Sequence, residues 1–230
     1  MTRKPPDFDQ WFAASGGTDA NGCHFTLRQN RGWLLLSSGR VVAAEPCALP
    51  DRDYGPFTQT VPPGRYPVVL LIAESRESSN PDAGILDERV AAACLQIRDE
   101  RVTAWEMGVQ DGQNPGDLGD DQFFGYSVNG GAGCFADAQS LTVPLAGGEF
   151  GWQFDLVQEV SDSPTLPTAV MGPGDEPAVV AFSAGGGDGT YLTWVGRTAD
   201  GGVACFVTDF FLLDWAWPVI ASGGDALAPG

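Results

Sequence analysis

Tyr191-Leu-Thr-Trp-Val195, Thr198-Ala-Asp-Gly-Gly202 and Val203-Ala-Cys-Phe206 are consecutive stretches near the C-terminus, and their reading decides the fold. Two apolar, β-branched and aromatic runs of strand length flank a glycine-containing turn, which predicts an antiparallel hairpin. Further runs of strand length recur upstream: Trp33–Leu36, Val41–Ala44, Tyr66–Ala73, Val90–Ile97, Val102–Met107, Phe123–Val128, Leu141–Leu145 and Val179–Phe182. Most are bounded by Gly, Pro, Asn or Asp.

A second hairpin is predicted from Val90–Ile97 and Val102–Met107 around Arg98-Asp-Glu-Arg101. Its second run alternates, with Thr103, Trp105 and Met107 on one face and Val102, Ala104 and Glu106 on the other. The alanine-rich Val90–Cys94 is also compatible with a helix. Many short strands with turn signals, and neither long helical periodicity nor an internal repeat, predict a mainly β fold: an antiparallel β-sandwich or partly open barrel. Asp7–Phe12 places Phe8, Trp11 and Phe12 at helical spacing, as a short docking helix. The chain divides into an N-terminal segment (1–30), one β domain (31–218) and a frayed tail (219–230).

Charge separates the halves. Across 230 residues, 30 acids face 12 bases, for a net charge of −18. Residues 1–101 hold 13 acids and 11 bases, whereas residues 102–230 hold 17 acids and one base, Arg197. Such a half repels nucleic acid and anionic membrane, both of which need phosphate neutralisation. It attracts cations or a basic protein surface. Solvation alone also accounts for excess acid.

The opening Met1-Thr-Arg-Lys-Pro-Pro-Asp7 has no apolar run behind its bases, and no run is long enough to span a bilayer as a helix, which predicts a cytoplasmic protein. The five cysteines form no C-x-x-C pair and read as reduced thiols, with Cys94, Cys134 and Cys205 in apolar runs as core residues. With His24 the single histidine, zinc and histidine-based nucleophilic catalysis have little support.

Two glycine-rich segments remain as candidate sites. Gly185-Gly-Gly-Asp-Gly-Thr-Tyr-Leu-Thr-Trp194 reads either as a tight structural turn or as a loop gripping a ligand, with Asp188, Tyr191 and Trp194 at hand. It is no phosphate cradle, because neither lysine nor helix follows it. Gly125-Tyr-Ser-Val-Asn-Gly-Gly-Ala-Gly-Cys-Phe-Ala-Asp137 ends in an acid that either caps a turn or joins Asp188 in one carboxylate site for calcium or another divalent cation. Glu106 and Asp209 interrupt apolar stretches, a costly placement unless the carboxylate is paired. No resident cofactor is implied.

The ordered blocks Pro56–Val68, Arg89–Met107, Gly125–Asp137, Gly187–Gly196 and Val207–Phe210 resemble the mainly bacterial domain-of-unknown-function family 4241, over roughly Leu34 to Leu213. Members of that family carry tryptophan where Gly186 stands and proline where Leu192 stands. The resemblance implies a shared fold and a shared site around Asp137 and Asp188, with no established activity.

Two functions follow as expectations. One is an acidic binding protein, immunity-like in the sense of neutralising a toxin, whose C-terminal half meets a basic partner. The other is a cation- or small-ligand-binding domain, hydrolytic or not, built on Asp137, Asp188 and Glu106.

Overall fold

The computed structural model describes residues 3–13, 16–18, 24–49, 54–76, 84–139, 151–172 and 174–213. In chain order its elements are α1 (Phe8–Ala13), β1 (Gly16–Thr18), β2 (His24–Leu36), β3 (Val41–Ala44), β4 (Gly64–Arg76), β5 (Ile85–Gln96) and β6 (Ala104–Met107). There follow β7 (Tyr126–Val128), β8 (Ala132–Asp137), α2 (Trp152–Asp162), β9 (Thr168–Met171), β10 (Pro177–Ser183), β11 (Gly189–Arg197) and β12 (Val203–Asp209). Short 3-10 turns occupy Pro46–Ala48 and Pro115–Asp117.

The strands form two antiparallel sheets. The larger has the order β1-β2-β4-β5-β12-β11-β6, with β7 also paired to β11; the smaller runs β3-β8-β10-β9. They are not closed into a barrel.

Period-2 patterning builds the layers. Along β4, Val68, Leu70 and Ile72 enter the core between the sheets, while Val69, Leu71 and Ala73 join a second cluster on the outer face of the large sheet. Along β10, Val180 and Phe182 face the same inner core, and Val179 and Ala181 face a third cluster outside the small sheet. Strands apolar on both faces need cover on both faces. Helix α1 supplies it on one side, where Phe8 is buried and its ring lies 4.7 Å from that of Trp105. Helix α2 supplies it on the other, with Leu156 and Val160, one turn apart, buried among Val42, Ala44 and Val179.

The predicted hairpin of residues 191–206 is present, with Trp194 opposite Val207 and Val195 opposite Phe206. That of residues 90–107 is not. Strand β5 pairs with β4 and β12, and β6 pairs with β11 instead. The β11–β12 hairpin supplies the two strands inserted between them, and residues 97–103 cross its end. Ile97 N–H donates to Ala204 O at 2.8 Å, Thr103 N–H to Arg197 O at 2.7 Å, and Arg98 Nη1 lies 3.1 Å from Asp200 in the hairpin turn.

Val90–Cys94 is strand, not helix. Both its edges are hydrogen-bonded to neighbouring strands, and a register shift opposite Leu71 and Ile72 absorbs Ala91. Strand β2 starts at His24, so residues 24–30, placed in the N-terminal segment from sequence, belong to the large sheet. Polar residues hide that run: Arg28 forms ion pairs with Glu74 of β4 and Glu88 of β5. The Pro-, Gly- and Ser-rich segment 161–177 contains the end of α2 and all of β9. Residues 141–145 and the tail 219–230 lie outside the described residues. No helix among the described residues is long and apolar enough to cross a membrane.

Candidate functional site

Asp137 ends β8, where it is fully buried. Ser38 of the β2–β3 turn donates its backbone N–H at 3.1 Å and its hydroxyl to Asp137 Oδ1. The carboxylate therefore closes a turn. Asp188 stands exposed in the β10–β11 turn. Because Ser183, just before that turn, pairs with Ala132 at the other end of β8, the two acids are separated by about 17 Å of strand, at ~3.4 Å per residue. They do not form the shared carboxylate site expected from sequence. Among the described residues, no three His, Cys, Asp or Glu side chains gather as metal ligands.

The glycine segments are structural. Glu45, buried beside β3, accepts the N–H groups of Asn129 at 3.0 Å and Gly130 at 2.6 Å and so fixes the β7–β8 turn. In the β10–β11 turn, Tyr191 donates its hydroxyl to Gly187 O at 2.9 Å and packs edge-on against Phe210 at 5.0 Å. Burial, with the negative charge of Asp188 adding to it, pushes its phenol up to about 12. Asp209 is fully buried at the end of β12 and accepts the N–H of Phe211 at 2.8 Å. Glu106 is held by the Arg197 guanidinium, with Nε at 3.1 Å, and by Gln59 Nε2 at 2.8 Å.

The four free cysteines among the described residues divide as expected, with Cys94, Cys134 and Cys205 buried and Cys47 exposed. Burial raises the Cys134 thiol far above the ordinary value, which leaves it inert.

Of the six residues singled out from sequence, two line one groove. Trp194 and Glu106 line a groove of about 520 Å³ on the outer face of the large sheet, with Trp105, Gln59 and the N-terminal Arg3 and Lys4. Sequence reading missed Gln59, Arg3 and Lys4, because only the fold carries the N-terminal arm to β6.

It missed α2 as well. The exposed side of this helix carries Phe154, whose surface is 63% exposed, and, to one side of it, Asp155, Glu159 and Asp162. Leu166, just beyond the helix, is half exposed. The spacing Trp152, Leu156, Val160 was the available signal.

A family model described as "Protein of unknown function (DUF4241)" matches residues 34–144 and 149–208. The chain belongs to the DUF4241 family. The matched blocks run from the inner end of β2 almost to the end of β12, so they include α2, Glu106 and Trp194. The N-terminal arm, with Arg3 and Lys4, lies outside the DUF4241 match. No curated protein and no solved structure matches the chain. The two positions at which the resemblance implied a departure have different settings. Leu192 is fully buried on the outer face of β11, whereas Gly186 is exposed, and a Cβ there would lie 3.2 Å from the Tyr191 hydroxyl.

Proposed function

We propose that this protein is a cytoplasmic, non-catalytic binding protein that engages a basic protein partner through the outward face of α2. The observation that carries the reading is Phe154, 63% exposed on a helix whose exposed side also carries Asp155, Glu159 and Asp162. An exposed aromatic ring beside charged side chains has the composition of a binding hot spot. The charges are also placed at a cost to the isolated helix. Asp155 and Glu159 are four residues apart and Glu159 and Asp162 three, spacings at which like charges each cost about 0.2–0.5 kcal/mol. Asp162 stands in the last turn, where the helix dipole disfavours an anion, and that turn has no base.

No lysine or arginine occurs between Arg101 and Arg197. A partner presenting arginine or lysine around an apolar pocket would relieve the repulsion and cover Phe154. Toxin neutralisation is one role of this type, in which an acidic surface masks a basic one.

Affinity capture with the full chain as bait, at low salt from the cytosol of its source, tests the reading. Strongly basic proteins are expected to be retained by the wild-type chain and released by salt. Their retention by Phe154→Ala combined with Asp155→Asn, Glu159→Gln and Asp162→Asn would contradict it.

A further inference from the structure

On the outer face of the large sheet, β2 and β4 carry a patch of the opposite sign to α2. Alternation along β2 sends Leu34 and Leu36 into the inner core and so sets Arg31 and Trp33 on the outer face. Trp33 stands opposite Pro67 of β4, and Arg65, two residues before Pro67, shares that face. Helix α1 covers the outer face elsewhere but leaves this corner open. Trp33 is 47% exposed, and both arginines are exposed.

The Arg65 guanidinium lies over the Trp33 ring, 5.3 Å from its centre. Neither Arg31 nor Arg65 forms an ion pair among the described residues, in a chain with 30 acids to 12 bases. By contrast, Arg28, Arg89, Arg98 and Arg197 are each held by a carboxylate. Tryptophan and arginine are the residue types that most often anchor protein interfaces.

We infer that this patch docks the exposed side of α2 of a second copy of the chain. Phe154 of one copy packs on Trp33 of the other, and Glu159 and Asp162 bring carboxylates to Arg31 and Arg65. The two surfaces are of similar length. Arg31 and Arg65 are about 14 Å apart on the sheet, and Phe154 to Asp162 covers about 12 Å of helix.

The patch and α2 occupy opposite outer faces of the sandwich, so copies join head to tail and not about a two-fold axis. Each copy carries a net charge of −18. At ~0.15 M salt the screening length is about 8 Å, which leaves the charges within the contact to decide its strength. The inference rests on the reading of α2 as a docking face, and gives that face a second occupant in competition with a basic partner.

Sedimentation equilibrium of the full chain, up to about 1 mM, tests it with two variants. One carries Arg31→Glu and Arg65→Glu; the other carries Phe154→Ala, Glu159→Gln and Asp162→Asn. All of these side chains are exposed. The wild-type mass is expected to rise with concentration, and each variant alone is expected to stay monomeric. Mixed in equal amounts, the variants are expected to form a heterodimer and nothing larger, because each retains one working surface. General charge repulsion predicts otherwise, since the α2 variant is the less negative chain and would associate at least as well as wild type. A monomeric wild type, an α2 variant that still associates, or a mixture that stays monomeric would each overturn the inference. Capture of basic proteins through α2 by a chain that remains monomeric would remove this inference alone and leave the α2 reading standing.

Discussion

Ser38 gives both its backbone N–H, at 3.1 Å, and its hydroxyl to the buried carboxylate of Asp137. The acid at the end of β8 therefore serves the β2–β3 connection, and both of its donors come from one residue of that turn. Hydrogen bonds to a charged group contribute about 1.5–3 kcal/mol each when burial leaves no water to replace them. Asp137→Ala is expected to lower unfolding free energy by about 2–3 kcal/mol in urea titration. Ser38→Ala, which keeps the backbone donor, should cost about half as much. Neither change should alter capture of a basic partner through α2.

Glu45 plays the same part for the β7–β8 turn, where Oε1 accepts from Asn129 and Gly130. Glu45→Gln retains an acceptor of similar reach, whereas Glu45→Ala leaves two amides without one. Hydrogen exchange should show faster exchange at the Asn129 and Gly130 amides in Glu45→Ala, and a clearly smaller change in Glu45→Gln. Equal protection in both variants would place the turn's stability elsewhere.

Tyr191 sets the alkaline limit of the β10–β11 turn. Its phenol is raised from an ordinary value of 10.0 to about 12, by burial first and Asp188 second. A folded-state value above the unfolded one means that the protonated phenol favours the fold. That contribution is complete below pH 10 and is lost as pH rises through about 12. Tyrosinate absorbance in a pH titration is expected to show a late step that Tyr191→Phe removes. The Tyr191→Phe protein should also lose less stability between those two pH values.

Gly185 is the point at which that turn tolerates no side chain. Its φ is +55°, and a Cβ would lie 2.0 Å from Val90 O. Gly185→Ala must displace either the turn or the edge of β5, at a cost of roughly 1–3 kcal/mol for the backbone conformation alone. A thermal unfolding midpoint lowered by several degrees is the expected result.

Much of this architecture was legible from apolar runs and turn residues. The β11–β12 hairpin showed itself because a glycine turn separates two strands that pair directly. The β5–β6 connection misled for the opposite reason. Adjacency in sequence suggested pairing, but both strands of the later hairpin intervene, and a run such as Val90–Leu95 carries no mark of which neighbour it chooses. Residues 24–30 of β2 were hidden because Arg28 is satisfied by Glu74 and Glu88, sixty residues and less along the chain, rather than by water. Helix α2 had a readable spacing in Trp152, Leu156 and Val160, overshadowed by the surrounding Gly, Pro and Ser. For the site, sequence could name Asp137 and Asp188 as acids in special places, but their separation along β8 is a property of register. Trp194 and Glu106 do share a groove, yet their partners Gln59 and Lys4 come from segments with no motif to announce them.

The most direct measurement compares two charge-neutralised full-length chains as baits for the same basic proteins. One carries Asp155→Asn, Glu159→Gln and Asp162→Asn on α2. The other carries Asp111→Asn, Asp117→Asn and Asp121→Asn on the exposed β6–β7 connection, which changes net charge by the same amount. Docking through α2 predicts that the first bait loses the basic proteins and the second retains them at wild-type levels. Equal loss from both baits would show that overall charge, and not this surface, draws the partner.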